Sequence, residues 1–155
     1  MKWNDLLKNV PKVTPHYNFG ASNKISNLDI NYQLGVKTLT FYGEIKSSNG
    51  FNNYNMIITF SGVEPTDGLT EEEILQGYMP KPSLSDNDIH VRCNCPSYRF
   101  RFDKANRANR AATGKNFGNY IKKTDRKPNN PHDLPGICYH IIEFVDYLHS
   151  QGFIR

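Results

Sequence analysis

Two short pairs of potential metal ligands constrain this chain more than any other feature of its sequence. Cys93 and Cys95 are separated by one residue, and so are Cys138 and His140. Three thiolates and an imidazole form a donor set that zinc binds tetrahedrally in closed structural sites. If all four side chains bind one ion, the two ends of the 42-residue stretch 96–137 must meet. The sequence therefore predicts a structural Zn2+ site at these four residues.

The sequence next to each pair favours the sharp turns that such short spacings need. The first pair leaves a predicted strand and meets Pro96, and the second opens a predicted helix directly after Pro135 and Gly136. The positive end of a helix also favours thiolate over thiol. The simpler alternative is that the three cysteines are reduced thiols that pack in the core. His90, just before the first pair, is the reserve ligand.

Length and composition narrow the class of protein. The chain has 155 residues, which suits one domain. Its nine Phe, nine Tyr and one Trp offset a hydrophobic share of 37%, so a real core is expected. Three cysteines cannot close a disulfide framework, and in a reducing compartment we expect them to be thiols or metal ligands. No apolar run approaches the roughly 18 residues of a membrane helix, and residues 1–10 lack a signal peptide's apolar block, so we expect a cytoplasmic protein without a membrane partner.

Hydrophobic periodicity predicts an α+β fold. Alternating β-branched and aromatic residues predict strands over Lys37–Ser47 and Tyr54–Val63, which form an antiparallel hairpin, and a third strand over Asp88–Cys93. The stretch Ile137–Gln151 carries apolar residues at helical spacing along one face. We therefore predict a small antiparallel sheet packed on a C-terminal helix, with the zinc site joining them.

The predicted organisation is one domain, 37–155, preceded by an extended N-terminal arm, 1–36. The arm starts with a short amphipathic stretch, Trp3–Val10, and continues into a segment rich in Asn, Ser, Gly and Pro. Such a sequence offers little core, so it either covers its own domain or docks on a neighbouring subunit.

Two more helices and a loop complete the predicted domain. A Thr70–Glu73 capping box predicts a helix that ends near Gly77. Apolar residues at helical spacing predict a second helix over Tyr98–Ala112. The stretch 113–136 has no sustained period and many Lys, Asn, Gly and Pro residues, so we predict a long exposed basic loop.

Positive charge is concentrated in one segment. Residues 99–127 carry ten basic and two acidic side chains, whereas the rest of the chain has a net charge of −4. This asymmetry indicates a polyanionic or acidic partner for the segment, although most charge runs are only solvated faces. The residues predicted to contact that partner are Arg107, Arg110, Lys115, Lys122, Lys123, Arg126 and Lys127.

The amino-acid sequence around the two ligand pairs resembles a known zinc-binding module. Cys-x-Cys after a hairpin and Cys-x-His at a helix start resemble the SWIM-type zinc finger. The run VRCNCPSYRFRF at 91–102, Ala105-Asn106, Asn129–Pro131 and LPGICYH at 134–140 are similar to a SWIM-like module of large tailed phages, including crAss-like phages. The resemblance covers 88–150, and its gap between the pairs is longer than SWIM fingers usually have.

The resemblance implies a non-enzymatic structural protein of a virion, with zinc bound by the same four ligands. In those phages such small proteins build rings of the neck and tail. The implied partners are further copies in a cyclic homo-oligomer, other neck and tail proteins, and, in a tail conduit, the DNA that passes through it. The implied location is the virion, after assembly in the host cytoplasm.

Two other functions compete with this hypothesis. A nucleic-acid-binding module is the alternative, because aromatic residues such as Phe100, Phe117 and Tyr120 alternate with Arg and Lys, as phosphate contact and base stacking require. An enzyme is not expected, since the sequence has no phosphate loop, dinucleotide fingerprint or Ser-His-Asp order.

Overall fold

The computed structural model describes residues 1–10, 25–47, 50–118 and 130–155. Within these ranges the chain forms a four-stranded antiparallel sheet and five short α-helices. The strands are β1 (Ile25–Gln33), β2 (Thr38–Lys46), β3 (Asn53–Ser61) and β4 (Asp88–Cys93). The helices are α1 (Trp3–Leu7), α2 (Glu71–Leu75), α3 (Pro96–Arg101), α4 (Asp103–Ala108) and α5 (Tyr139–Ser150).

The sheet is a meander in which neighbouring strands follow the order β1-β2-β3-β4. β2 and β3 form the predicted hairpin in continuous register, with Leu39 opposite Phe60 and Lys46 opposite Asn53. β4 has the predicted bounds and pairs with β3 from Ser61–Asp88 to Met56–Cys93. The predicted α+β class, with an antiparallel sheet and a C-terminal helix, is therefore confirmed.

The core lies on one face of the sheet. Inward residues of the strands, such as Phe41, Ile58 and Val91, are completely or almost completely buried. The apolar face predicted for α5 is also buried, as Val145 and Leu148 show. Helix and strands thus share one hydrophobic cluster among the residues that the structure describes.

Strand β1 is a departure from the sequence prediction, which placed an irregular arm over residues 1–36. Residues 25–33 instead pair with β2, and Ile30 lies opposite Phe41. The register shifts between Ser26 and Asp29, where Asn27 has a φ of 52°. Ser, Asn and Asp have low strand propensity, but pairing with an existing strand overrides that preference.

The first ten residues also differ from an extended arm. Trp3, Leu6 and Val10 are buried in the main hydrophobic cluster. The Met1 carbonyl accepts a hydrogen bond from the Ile89 amide at 2.9 Å, and the Met1 ammonium lies 3.1 Å from an Asp88 carboxylate oxygen. In the described parts of 1–36 the chain is therefore integrated into the domain. The prediction of an arm over 11–24 lies outside the described residues.

The remaining helices are short. α2 has the predicted capping box, in which the Thr70 hydroxyl accepts from the Glu73 amide at 3.2 Å. The single helix predicted over residues 98–112 is wrong, since α3 and α4 are separated by a kink at Phe102, whose φ is −115°. No helix in the described ranges is long and apolar enough to cross a bilayer.

Candidate metal centre

The structure brings the four predicted ligands together. The three cysteine Sγ atoms and a ring nitrogen of His140 all lie within 4.8 Å of one another. Cys93 Sγ is 3.8 Å from His140 Nδ1. Cys93, Cys95 and Cys138 are buried and His140 is half-buried. These four side chains could hold one metal ion, and the sequence identified all of them.

The first pair is positioned by the end of β4 and the start of α3. Cys93 is the last residue of β4, and Cys95 is the N-cap residue of α3, with Pro96 at the first helical position. The Cys95 Sγ accepts a hydrogen bond from the Tyr98 amide at 3.3 Å. A proline start with an extended N-cap turns the chain sharply, so both sulfur atoms reach the same space.

Asn94, between the two cysteines, fastens this turn to β3. Its side-chain oxygen accepts a hydrogen bond from the Asn55 amide at 2.8 Å. The backbone amide of Asn94 donates to the Asn55 backbone carbonyl at 3.2 Å. The turn therefore has partners on β3 rather than projecting from the sheet.

The second pair is positioned by the first turn of α5. Cys138 is the N-cap residue and His140 follows in the first turn. The His140 ring lies against the Tyr54 ring of β3, with centroids 5.0 Å apart. The Asn106 side chain contacts Gly136, two residues before Cys138: Nδ2 donates to the carbonyl at 2.8 Å and Oδ1 accepts from the amide at 2.9 Å.

Burial and hydrogen bonding divide the three thiols into two kinds. Burial raises the pKa of the Cys93 thiol and of the Cys138 thiol. Hydrogen bonds from Cys138 and Cys93 hold the pKa of Cys95 well below its usual range. Cys95 is therefore the preferred thiolate, and a cation that binds all three sulfur atoms displaces the remaining thiol protons.

Several positioning residues were not assigned a role from the sequence. Tyr98 and Asn106 are buried, and the Tyr98 hydroxyl donates to the Val91 carbonyl at 2.8 Å while it accepts from Asn106 Nδ2 at 3.3 Å. A buried Asn among apolar positions of a predicted helix is the signal that marks such a network. Tyr54 and Asn55 give no local signal, because they reach the site only through the β3–β4 pairing.

His90, the reserve ligand, lies elsewhere. Its Nε2 is 3.0 Å from the Ser61 hydroxyl, across the β3–β4 pair. Burial lowers the pKa of His90, with a further contribution from the Met1 ammonium. Because its ring lies beside Ser61, His90 is not part of the cluster formed by the four predicted ligands.

Of the basic residues predicted to contact a partner, some bind other residues of the chain and others are exposed. Arg107 binds Asp103 at 3.2 Å and donates to the Lys115 carbonyl at 2.9 Å. Arg110 and Lys115 are exposed. Arg92, which the sequence analysis did not single out, lies 3.9 Å from the Phe117 ring centroid. The remaining predicted contact residues lie outside the described residues: Lys122, Lys123, Arg126 and Lys127.

The described ends of the predicted basic loop are anchored. At one end, Arg92 Nε donates to the Lys115 carbonyl at 2.9 Å. At the other end, Asn130 Nδ2 donates to the Arg101 carbonyl at 2.9 Å and to the Leu134 carbonyl at 2.8 Å. These contacts join the loop ends to β4 and α3, the two elements that carry the first ligand pair.

Comparisons of the chain with protein-family models, with curated proteins and with solved structures found no match.

Proposed function

We propose that this protein is a non-enzymatic assembly protein of a tailed-phage virion, a ring component of the neck or tail whose fold is closed by structural zinc. The observation that carries the zinc part is the buried Cys3His cluster. The virion part rests on the resemblance of residues 88–150 to the SWIM-like module of large tailed phages.

The donor set and its spacing fit zinc. Zn–S bonds of about 2.3 Å and Zn–N bonds of about 2.0 Å place the ligand atoms of a tetrahedral site about 3.5–3.8 Å apart. The distance from Cys93 Sγ to His140 Nδ1 is 3.8 Å, and no pair among the four ligand atoms exceeds 4.8 Å. A contraction of about 1.3 Å at most brings every pair to that spacing. Thiolates with one imidazole also favour zinc over magnesium or calcium, which prefer oxygen ligands.

Four protein ligands favour a structural role over a catalytic one. Catalytic zinc keeps a coordination position open for water or substrate, whereas closed sites use four side chains. Here the three sulfur atoms belong to buried residues. The ion would join the carboxyl end of β4 to the amino end of α5, and thereby close the chain between them.

Metal content and particle content test this proposal separately. Native mass spectrometry at physiological salt should show one zinc ion per chain. Virions purified by density gradient should contain the chain in a fixed ratio to the capsid protein. A chain without metal contradicts the zinc site. Virions without the chain contradict the virion role, whatever the metal content is.

Nucleic-acid binding is the second candidate, and one observation favours it. The guanidinium groups of Arg92 and Arg99 lie 3.9 Å and 5.7 Å from the centroid of the Phe117 ring, next to the exposed Lys115. Cations beside an aromatic ring are the groups that bind phosphates and stack on bases. In a tail conduit this surface would face passing DNA, so the two functions are compatible.

A salt titration tests the second candidate. Neutralising Lys122, Lys123, Arg126 and Lys127 together should weaken binding of a single-stranded oligonucleotide and reduce its dependence on salt, because fewer counterions are released. The matched control neutralises Lys2, Lys8, Lys37 and Lys46, which lie outside the basic segment. Equal binding by both variants at every salt concentration would mean that the segment is only a solvated face.

A further inference from the structure

An apolar groove opens on the core side of the sheet, at its β1 edge. The groove has a volume of about 320 Å³. Its lining includes Ile30, Leu39 and Phe41 from β1 and β2, and Met79 and Phe153 from the segments that flank the sheet. Helix α5 packs over β3 and β4, so the inward side of β1 is only half-buried.

Four large apolar side chains are exposed in α2 and in the segment that follows it. Ile74, Leu75, Tyr78 and Met79 are 42%, 87%, 55% and 48% exposed, within a stretch of six residues. Two of them, Tyr78 and Met79, belong to the groove lining itself. Exposed apolar side chains beside an apolar groove are typical of an interaction surface.

The groove borders an acidic helix, α2, although its own lining holds Lys81 and no carboxylate. Glu73 of α2 binds Lys81 at 2.9 Å, and Lys81 lines the groove, so α2 is held at its border. Glu71 and Glu72 in the same helix are exposed and form no ion pair with any residue that the structure describes. The surrounding segment, 62–88, carries seven acidic side chains and one lysine.

Helix α3 has the complementary chemistry. It carries Phe100, which is 40% exposed, between Arg99 and Arg101. Among the described residues, neither arginine forms an ion pair. The surrounding segment, 92–115, carries seven basic side chains and one aspartate, so its charge mirrors that of the groove segment.

We propose that the groove binds α3 of a second copy of this chain. Phe100 of that copy enters the apolar groove, and its Arg99 and Arg101 face Glu71 and Glu72 of the bordering helix α2. Apolar burial supplies the affinity, and the charges select the partner and its orientation.

The sheet topology makes this contact intermolecular. The groove lies at the β1 edge, whereas α3 packs on β4, where the Tyr98 hydroxyl binds the Val91 carbonyl. β1 and β4 are opposite edges of the sheet, about 14 Å apart across three strand spacings. One chain therefore cannot seat its own α3 in its own groove.

The contact is heterologous, because the groove of one copy binds α3 of another. A pair of copies therefore still has one groove and one α3 free to bind further copies. Such contacts propagate until they close into a ring or extend as a filament. The inference rests on the assembly role proposed above, and it names the surfaces that perform it. It does not depend on which virion component the ring would form.

Charge-swap variants of the zinc-loaded full chain test the contact by analytical ultracentrifugation across a concentration series. Wild type should associate, and association should weaken as salt rises. E71K/E72K and R99E/R101E should each remain monomeric, because each places like charges across the contact. An equimolar mixture of the two variants should associate again, since it restores opposite charges. E143K/D146K reverses two carboxylates of α5, outside the acidic segment 62–88, and should associate as wild type does.

Three results would overturn the inference. If the wild-type chain stays monomeric at every concentration, the groove does not bind a second copy of this chain. Association that survives both charge reversals places the interface elsewhere. Variants that fail to regain association on mixing show that the two surfaces do not meet. Circular dichroism and zinc stoichiometry of each variant distinguish these results from misfolding. None of them bears on whether the chain is present in virions, which is measured separately.

Discussion

Asn106 pairs with both peptide groups of Gly136, which lies 30 residues further along the chain. Its Nδ2 donates to the Gly136 carbonyl at 2.8 Å, and its Oδ1 accepts from the Gly136 amide at 2.9 Å. Asn106 is completely buried. Asn9 acts beside it, since its Nδ2 donates to the Pro135 carbonyl at 2.8 Å. Together the two side chains hold the backbone just before Cys138, the N-cap residue of α5.

Asn106→Ala should destabilise the fold and weaken metal binding. The change leaves both peptide groups of Gly136 without this buried partner, which costs about 2–3 kcal/mol. Thermal unfolding measures the stability, and competition with a chromogenic chelator measures the zinc affinity. The control is Asn109→Ala in the same segment, because Asn109 is exposed and bonds only the Ala105 carbonyl among described residues. Equal losses in the two variants would contradict the positioning role.

Cys138→Ser should release zinc and lower the melting temperature. A ligand that binds only the folded state stabilises it by about 4 kcal/mol when its free concentration is about a thousand times its Kd. A chelator should therefore destabilise wild type but have no further effect on the variant. A wild-type chain whose melting temperature does not respond to the chelator would rule out a structural metal.

Gly43→Ala tests the packing of α5 on the sheet. A Cβ atom at residue 43 would lie 2.8 Å from the Phe144 ring, which is completely buried. Overpacking of this kind costs about 1–3 kcal/mol, because the ring must move in a closely packed core. Gly35→Ala is the matched control, since nothing lies within 4 Å of its Cβ. Urea unfolding of both variants should show the loss only at residue 43.

We expect His90 to make the folded chain less stable as the pH falls. Burial lowers the pKa of His90 in the folded chain, with a smaller effect of the Met1 ammonium and an opposing one from the Arg110 carbonyl and Asp88. The unfolded chain takes up the proton near pH 6.5, so it binds more protons than the folded chain below that pH. This contribution to stability is present above about pH 6.5 and is lost as the pH falls.

The measurement compares wild type with His90→Gln, which keeps a polar partner for Ser61 but cannot titrate. The free energy of unfolding of wild type should fall more steeply between about pH 8 and pH 5 than that of the variant. Both chains are measured at the same zinc concentration, so that loss of metal affects them equally. Identical pH profiles would show that His90 makes no such contribution.

Local patterns identified β2, β3, β4 and α5, because each buries one face and shows the period of that face. They missed β1, whose Ser, Asn and Asp residues suggest a loop and whose strand depends on pairing with β2. They also joined α3 and α4 into one helix, since apolar spacing does not reveal the kink at Phe102.

The sequence by itself indicated the four candidate ligands, because Cys and His in two closely spaced pairs form a donor set typical of structural zinc sites. Only the tertiary structure decided that these ligands meet, since β4 and α5 are brought together by a shared core and by the Asn106–Gly136 contact. It also decided the placement of the apolar groove and of α3 at opposite edges of the sheet. Contacts between distant residues depend on how strands and helices pack, and no local pattern of residues records that packing.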